Sequence, residues 1–228
     1  MTKKIIVGIF AHPDDEAFGP SGTLLLEARA GSEVHIITLT AGQNGMNPDG
    51  HDDLGEVRRS EWHTAGKLIG ATGMHMLDFI DGHLDNIAMV EASVQVEAII
   101  RGVIEGRGEP LEVEIMSMDL TGITGHIDHI VAGRMASHVF YKLKRAGLPL
   151  SRLRLTCIPR AADEPNIDWL YMEPGRTPDE IDETIDTTSV REELKAIARA
   201  HHTQRSDAEH RLTQLDQDSC HDYFIVRS

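Results

Sequence analysis

The chain has 228 residues, enough for one sizeable core, so we expect a single domain over residues 1–228. Its 22 Lys and Arg against 37 Asp and Glu give a formal net charge of −15, which argues against a nucleic-acid partner. The first apolar run has only about seven residues, far short of the ~20 needed to span a bilayer. Two cysteines, Cys157 and Cys220, suit a reducing compartment. We therefore expect a cytoplasmic protein without a membrane span.

Strand and helix patterns alternate from the start of the chain. We expect strands at residues 4–11, 33–40, 75–79, 111–118, 152–158 and 223–226. We expect helices at residues 15–30, 55–70, 88–105, 128–146 and from about Ser189 toward residues 201–204. This alternation predicts an α/β fold with a mostly parallel sheet covered by helices on both faces. The proline-bearing segment 159–186 lacks one clear period and is predicted to be an excursion or a lid.

The first polar cluster, His12-Pro13-Asp14-Asp15-Glu16, directly follows a buried strand. Pro13 keeps His12 out of the helical region, so a helix can begin only among the acidic residues. These carboxylates could simply stabilise the N-terminus of a helix, where negative charge interacts favourably with the helix dipole and contributes roughly 0.3–1 kcal/mol. They also place metal-binding side chains at one strand-to-helix corner.

A second cluster, His126-Ile127-Asp128-His129, also follows a predicted strand. Taken alone, its histidines could be exposed or capping residues, and Asp128 could cap the helix or orient a histidine. Two such corners at one sheet edge would instead form a metal site. His12, Asp15 and His129 would supply two nitrogens and one oxygen, a zinc ligand set that leaves a position open.

The remaining polar groups of these corners suggest the chemistry. Asp14 is spare and adjacent to the ligands, so it could accept a proton from water. His126 lies one turn before His129 and could face a developing oxyanion. No Gly-x-Gly-x-x-Gly follows the first strand, so a dinucleotide site is disfavoured.

Several motifs together resemble the PIG-L/LmbE family of zinc-dependent N-acetylglucosaminyl de-N-acetylases. The resemblance covers most of the chain in the right order, in the following segments: 11–16 (Ala-His-Pro-Asp-Asp-Glu), 22–24, 40–45, 58–61, 77–84, 125–129 (Gly-His-Ile-Asp-His) and 201–204 (His-His-Thr-Gln). The resemblance implies a Rossmann-like three-layer sandwich and a small amino-sugar conjugate as substrate. A homo-oligomer is also possible.

The resemblance further implies a role for each residue of the site. One zinc ion per chain would be held by His12, Asp15 and His129. Asp14 would be the general base, and His126 would stabilise the tetrahedral intermediate.

Two more residues match the family's sugar-binding positions, Arg58 and Asp81. From sequence alone Arg58 could equally form a surface salt bridge, and Asp81 could be a turn residue.

The chain departs from the family pattern at three positions. Gln43 stands where Glu is frequent, Ile127 where Pro is frequent, and Thr124 where some members have Tyr. The last change removes a possible oxyanion donor.

Three other functions stay open from the sequence. These are an amidase acting on another N-acyl sugar conjugate, a metal-dependent phosphoesterase and a non-catalytic Rossmann-like binding module. A phosphoesterase would need a second full ligand set for two ions ~3.5–4 Å apart.

Overall fold

The computed structural model describes residues 2–108, 110–160, 175–217 and 220–228. The strands are β1 (Lys3–Phe10), β2 (Glu33–Thr40), β3 (Gly73–Phe79), β4 (Leu111–Met118), β5 (Leu150–Cys157), β6 (Glu183–Asp186) and β7 (His221–Arg227). The helices are α1 (Asp15–Phe18), α2 (Ser21–Arg29), α3 (Leu54–Ile69), α4 (Asn86–Ile104), α5 (Ile127–Arg145), α6 (Arg191–Ala200) and α7 (Arg205–Asp216).

All seven strands form one sheet in the order β3-β2-β1-β4-β5-β7-β6. Strands β1 to β5 are parallel, whereas β7 is antiparallel to both β5 and β6. The predicted mostly parallel sheet is therefore confirmed. The strand order reverses between β1 and β4, and open α/β sheets bind ligands in the crevice at the carboxyl ends of such strands.

The core has two layers, one on each face of the sheet. In β1, Ile5, Val7 and Ile9 pack on the face covered by α4 and α5. Ile6 and Phe10 pack on the opposite face, which is covered by α2, α3 and α6. This alternation follows from the two-residue period of a strand, and burial on both faces explains the continuous apolar run of β1.

The prediction of one continuous helix at 15–30 is wrong. The structure has α1 and α2 instead, separated by Gly19 and Pro20. Pro20 has no backbone N–H, and its ring would collide with the carbonyl four residues earlier in a continuous helix. The break keeps α1 to a single turn, which places its acidic residues directly after β1.

Near the C-terminus the structure adds two elements that the sequence did not predict, β6 and α7. Strand β6 lies within the segment predicted as an excursion or lid, and it extends the sheet edge through β7. Residues 161–174 of that segment lie outside the described residues. Within the described part of the chain, the longest helices have 19 residues, and none has the apolar character needed to cross a bilayer.

Candidate active site

Asp15 shapes the first corner of the site, the turn between β1 and α1. Its Oδ2 atom accepts hydrogen bonds from the backbone N–H groups of Ala11 and His12, at 3.0 and 2.9 Å. These bonds fold the chain back between β1 and α1 and bury His12 and Asp15. Asp15 Oδ1 faces the second corner, where it lies 3.1 Å from Nε2 of His129 in the first turn of α5.

The three side chains predicted to be metal ligands lie together. His12 Nδ1 is 3.1 Å from His129 Nε2 and 3.9 Å from Asp15 Oδ2. Ligand atoms about 2.1 Å from a tetrahedral zinc ion are roughly 3.4 Å from one another. His12, Asp15 and His129 therefore have the spacing and the donor types of a zinc site.

Hydrogen bonds at the outer nitrogens show that both rings can present a lone pair to a metal ion. His12 Nε2 lies 2.9 Å from Asp81 Oδ1 and 3.2 Å from Asp128 Oδ2, so it carries the proton that these carboxylates accept. His129 Nδ1 lies 3.2 Å from the carbonyl oxygen of Gly122 and donates to it. A neutral imidazole protonated at one nitrogen offers the other as a ligand, and such outer partners hold the ring in place.

The charges of this corner also favour a cation. Burial opposes a charge on His12, but hydrogen bonds to Asp128 and Asp81 and the nearby Asp15 outweigh it and raise the pKa of His12 to about 10. Burial likewise opposes ionisation of Asp15, yet His129 and His12 hold the pKa of that carboxyl well below its usual range. A metal ion bound at Nδ1 of His12 would take the place of the proton that this nitrogen carries in the charged ring.

Asp14 lies beside the ligands and is engaged by Arg58. Nη2 of Arg58 donates to Asp14 Oδ2 at 2.9 Å and to the carbonyl oxygen of Pro13 at 2.6 Å. Nη1 donates to the carbonyl oxygen of Gly42 at 2.8 Å, and a side chain at Gly42 would collide with the guanidinium. Burial raises the pKa of Asp14 to about 6 although Arg58 lowers it. The carboxylate form therefore predominates at neutral pH and can accept a proton, as a general base requires.

His126 is held in the tautomer that can donate into the site. It caps α5, and its Nδ1 accepts from the backbone N–H of Asp128 at 3.2 Å. The neutral ring then carries its proton on Nε2. Its centroid is 4.9 Å from that of His12 and 5.0 Å from that of His129. Burial and the neighbouring imidazoles lower the pKa of His126, which favours the neutral form.

Asp81 and Asp128 both contact His12 rather than open solvent. Asp128 also accepts hydrogen bonds from the backbone of Gly82 and Leu84, at 2.7 and 3.1 Å. This is the histidine-orienting position that the sequence offered as one alternative for Asp128. Asp81 Oδ2 accepts from the backbone N–H of Asn44 at 3.2 Å. The structure thus brings Asp81 to the site but gives its carboxylate partners within the protein.

The three departures from the family pattern have definite surroundings. Thr124 Oγ1 lies 3.2 Å from His129 Nδ1, so it contacts the outer nitrogen of a predicted ligand. Gln43 Nε2 donates to the carbonyl oxygen of Phe79 at 3.3 Å and links the loop after β2 to the end of β3. Ile127 is the first residue of α5 and is 48% exposed.

Two buried residues of the corner had no predicted role, Glu16 and His201. His201 Nε2 lies 2.8 Å from Glu16 Oε1, and both side chains are fully buried. The sequence contained a signal, because both residues belong to segments that carry the family resemblance. The pattern of residue types gave no indication that they pair.

A Rossmann-like sheet that carries a His-Asp-His group able to hold a metal ion at its reversal point, with a further carboxylate next to it in sequence, is typical of metal-dependent hydrolases. Comparison with known families is more specific. The family model described as GlcNAc-PI de-N-acetylase, PIG-L, matches residues 7–140, more than half of the chain. The chain belongs to this family, a family of hydrolases that remove N-acetyl groups, and the resemblance found in the sequence is confirmed.

Named relatives lie within the same family. A 1D-myo-inositol 2-acetamido-2-deoxy-alpha-D-glucopyranoside deacetylase from Salinispora arenicola is 27% identical, over 87% of this chain and 75% of that protein. Among solved structures, N,N'-diacetylchitobiose deacetylase from Pyrococcus horikoshii matches with a TM-score of 0.63 and 21% identity, over 89% of this chain and 70% of that one. GalB, the 4-carboxy-2-hydroxymuconate hydratase from Pseudomonas putida KT2440, matches with a TM-score of 0.70 and 16% identity, over 100% and 97%. These two structures show the shared fold.

Proposed function

We propose that this chain is a zinc-dependent hydrolase that removes the N-acetyl group of a small molecule containing N-acetylglucosamine. The observation that carries the proposal is the meeting of His12 Nδ1, His129 Nε2 and the Asp15 carboxylate at one sheet edge. The buried carboxylate of Asp14, the residue before Asp15, interacts electrostatically with Asp15 and His12. Two imidazoles and one carboxylate form a zinc ligand set of catalytic type. Membership of the PIG-L family and the name of the Salinispora relative support the same reaction.

The roles follow from the atoms that face the site. His12, Asp15 and His129 would hold a zinc ion, which would supply Lewis-acid chemistry to polarise a carbonyl and lower the pKa of water. Asp14 accepts a proton from the attacking water. His126 donates from Nε2–H to the carbonyl oxygen as negative charge develops there. When the amide C–N bond breaks, the leaving nitrogen takes up a proton from Asp14 or His126, giving acetate and a free amine.

Arg58 and Asp81 remain our proposed contacts for the sugar. Asp81 lies at the carboxyl end of β3, beside the site, and its carboxylate can accept hydrogen bonds from hydroxyl groups. Arg58 is 3% exposed, and its Nε has no hydrogen-bond partner among the described residues. The Arg58 guanidinium and the Asp81 carboxylate would each bind the substrate in addition to the protein contacts described above.

A phosphoesterase with two metal ions fits the site less well. The described residues provide a second possible ligand group, His12, His126 and Asp128, but it shares His12 with the first. Both oxygens of Asp128 already accept backbone N–H groups, and His126 Nδ1 does the same. One full ligand set and a second set that shares His12 with it favour a site for a single metal ion.

The decisive experiment measures released acetate and free amine from a panel of N-acetylglucosamine conjugates, with and without zinc. Phosphate monoesters and an enoic acid are assayed in parallel, since the fold is also that of a hydratase. We expect stoichiometric acetate and amine, loss of activity on chelation and recovery with zinc. Phosphate release, or hydration without acetate, would contradict the proposed reaction.

A further inference from the structure

Glu16 and His201 form a charged contact that the proposed chemistry does not use. Both side chains are fully buried, and Nε2 of His201 lies 2.8 Å from Oε1 of Glu16. Taking two such groups out of water is expensive, and a buried ion pair is weak evidence for a gain in stability. We therefore looked for the role of this pair in the neighbouring groups that it positions.

The second oxygen of Glu16 holds the backbone of Asp14. Glu16 Oε2 accepts a hydrogen bond from the Asp14 N–H at 3.1 Å. Asp14 has φ +118°, a region that residues with a Cβ atom seldom enter. Such conformations are costly and persist only where the surroundings impose them. The Asp14 carbonyl oxygen accepts from the N–H groups of Ala17 and Phe18, at 2.8 Å each, and this completes its restraint.

The segment that follows His201 is anchored to α3, the helix that also carries Arg58. Two residues after His201, the N–H and hydroxyl of Thr203 donate to the two carboxylate oxygens of Glu61, at 2.9 and 2.7 Å. Glu61 lies one helical turn after Arg58, which binds the Asp14 carboxylate. Asp14 is thus restrained at its carboxylate by Arg58 and at its backbone by Glu16, and both restraints lead back to α3.

We propose that Glu16 and His201 are positioning residues for Asp14. His201 orients the Glu16 carboxylate, and Glu16 keeps Asp14 in the left-handed conformation that brings its side chain to Arg58 and the metal ligands. Neither residue contacts the ligand atoms assigned to zinc. The inference rests on the proposed function only in taking Asp14 as the general base.

The test compares Glu16→Ala, Glu16→Gln, His201→Ala and His201→Gln with wild type. Each variant is measured for bound zinc, midpoint of thermal unfolding, kcat and KM. Displacement of a catalytic group by about 1 Å can cost roughly 10²-fold in rate. We expect both alanine variants to lose about that much in kcat, with zinc content and KM near the wild-type values. Glu16→Gln keeps an acceptor for Asp14 and a donor for neutral His201, so it should recover most of kcat.

Asp222→Asn is the matched control for general loss of stability. Asp222 is also buried and accepts from the N–H and hydroxyl of Thr23, at 2.7 and 2.8 Å, away from Asp14. It should lower the unfolding midpoint and leave kcat unchanged. If the Glu16 and His201 variants lose no more kcat than Asp222→Asn at the same unfolding midpoint, the pair is only structural and the proposal is wrong.

A double-mutant cycle and a structure separate this proposal from the proposed function. In an Asp14→Asn background, Glu16→Ala should have no further effect on kcat, because its effect passes through Asp14. A crystal structure of Glu16→Ala should show Asp14 out of the left-handed region. Full additivity in the cycle, with Asp14→Asn itself impaired, overturns positioning and leaves the general base intact. Near-normal turnover of Asp14→Asn overturns the assigned base and the positioning role together.

Discussion

Arg58 and Asp14 form a buried ion pair, with Nη2 of Arg58 2.9 Å from Oδ2 of Asp14. The sequence predicted that Arg58 binds the sugar, yet in the structure its nearest charged partner is the proposed general base. The two roles differ in what a substitution changes. A sugar contact affects substrate binding, whereas a charge beside Asp14 affects the pH at which the base is ionised.

The first prediction concerns the pH profile of Arg58→Gln. The guanidinium lowers the pKa of Asp14, so removing its charge raises that pKa. Asp14 then stays protonated to a higher pH, and the acidic limb of the kcat profile should move to higher pH. Arg58→Lys, which keeps the charge, should move it less. Arg59→Gln is the control, because Arg59 is the next residue of α3 and, in the described part of the chain, its ion pairs are with the exposed carboxylates of Glu56 and Asp78. An unchanged limb with a raised KM would support the sugar role instead.

The meeting of the three predicted metal ligands could be foreseen from the sequence because it depends on a general rule. Parallel strands end at the same edge of a sheet, so His12 after β1 and His129 after β4 had to lie near each other once the strands were recognised. The mostly parallel sheet followed from the same alternation of elements.

Contacts set by the orientation of helices could not be predicted in this way. Arg58 reaches Asp14 across 44 positions of sequence, and His201 reaches Glu16 across 185. Each contact depends on how α3 or α6 lies against the sheet, which local periodicity does not specify. Helix α7 was missed because its apolar residues do not form a clear stripe. The left-handed conformation of Asp14 is imposed by its surroundings, since no glycine marks the position.

The second prediction is one zinc ion per chain, lost on substitution of a ligand. Removing the His129 imidazole leaves only two of the three donors, so His129→Ala should lose the metal. Asp15→Ala should do the same. His138→Ala is the matched control, because His138 is an exposed histidine of the same helix and should leave the metal content unchanged. Elemental analysis of the purified variants decides the matter. Full occupancy in both ligand variants would refute the assignment.

The third prediction separates metal binding from proton transfer at Asp14. Asp14→Asn keeps the size of the side chain but cannot accept a proton, so zinc should stay bound while kcat falls roughly 10²–10⁴-fold. Asp52→Asn, at an exposed carboxylate in the loop that follows β2, should be neutral. The rates and the zinc content are measured on the same preparations. If Asp14→Asn turns over normally, another group activates the water.

The last prediction asks whether Asp81 serves the sugar or the metal. Its Oδ1 lies 2.9 Å from His12 Nε2, next to Asp128 Oδ2 at 3.2 Å, so either carboxylate alone can hold the ring of His12. If Asp81 binds the sugar, Asp81→Ala should lower kcat/KM for an N-acetylglucosamine conjugate by an amount equivalent to about 1–3 kcal/mol, the cost of an unpaired polar contact. Hydrolysis of a small N-acetyl amide without a sugar should change far less, and zinc affinity should remain close to that of wild type.

Asp128→Ala provides the comparison. It removes the other partner of His12 together with the acceptor for the N–H groups of Gly82 and Leu84. It should therefore weaken zinc binding and slow the hydrolysis of both substrates. If Asp81→Ala slows the hydrolysis of both substrates equally and also loses zinc, then Asp81, like Asp128, orients the metal ligand His12 and is not the sugar contact.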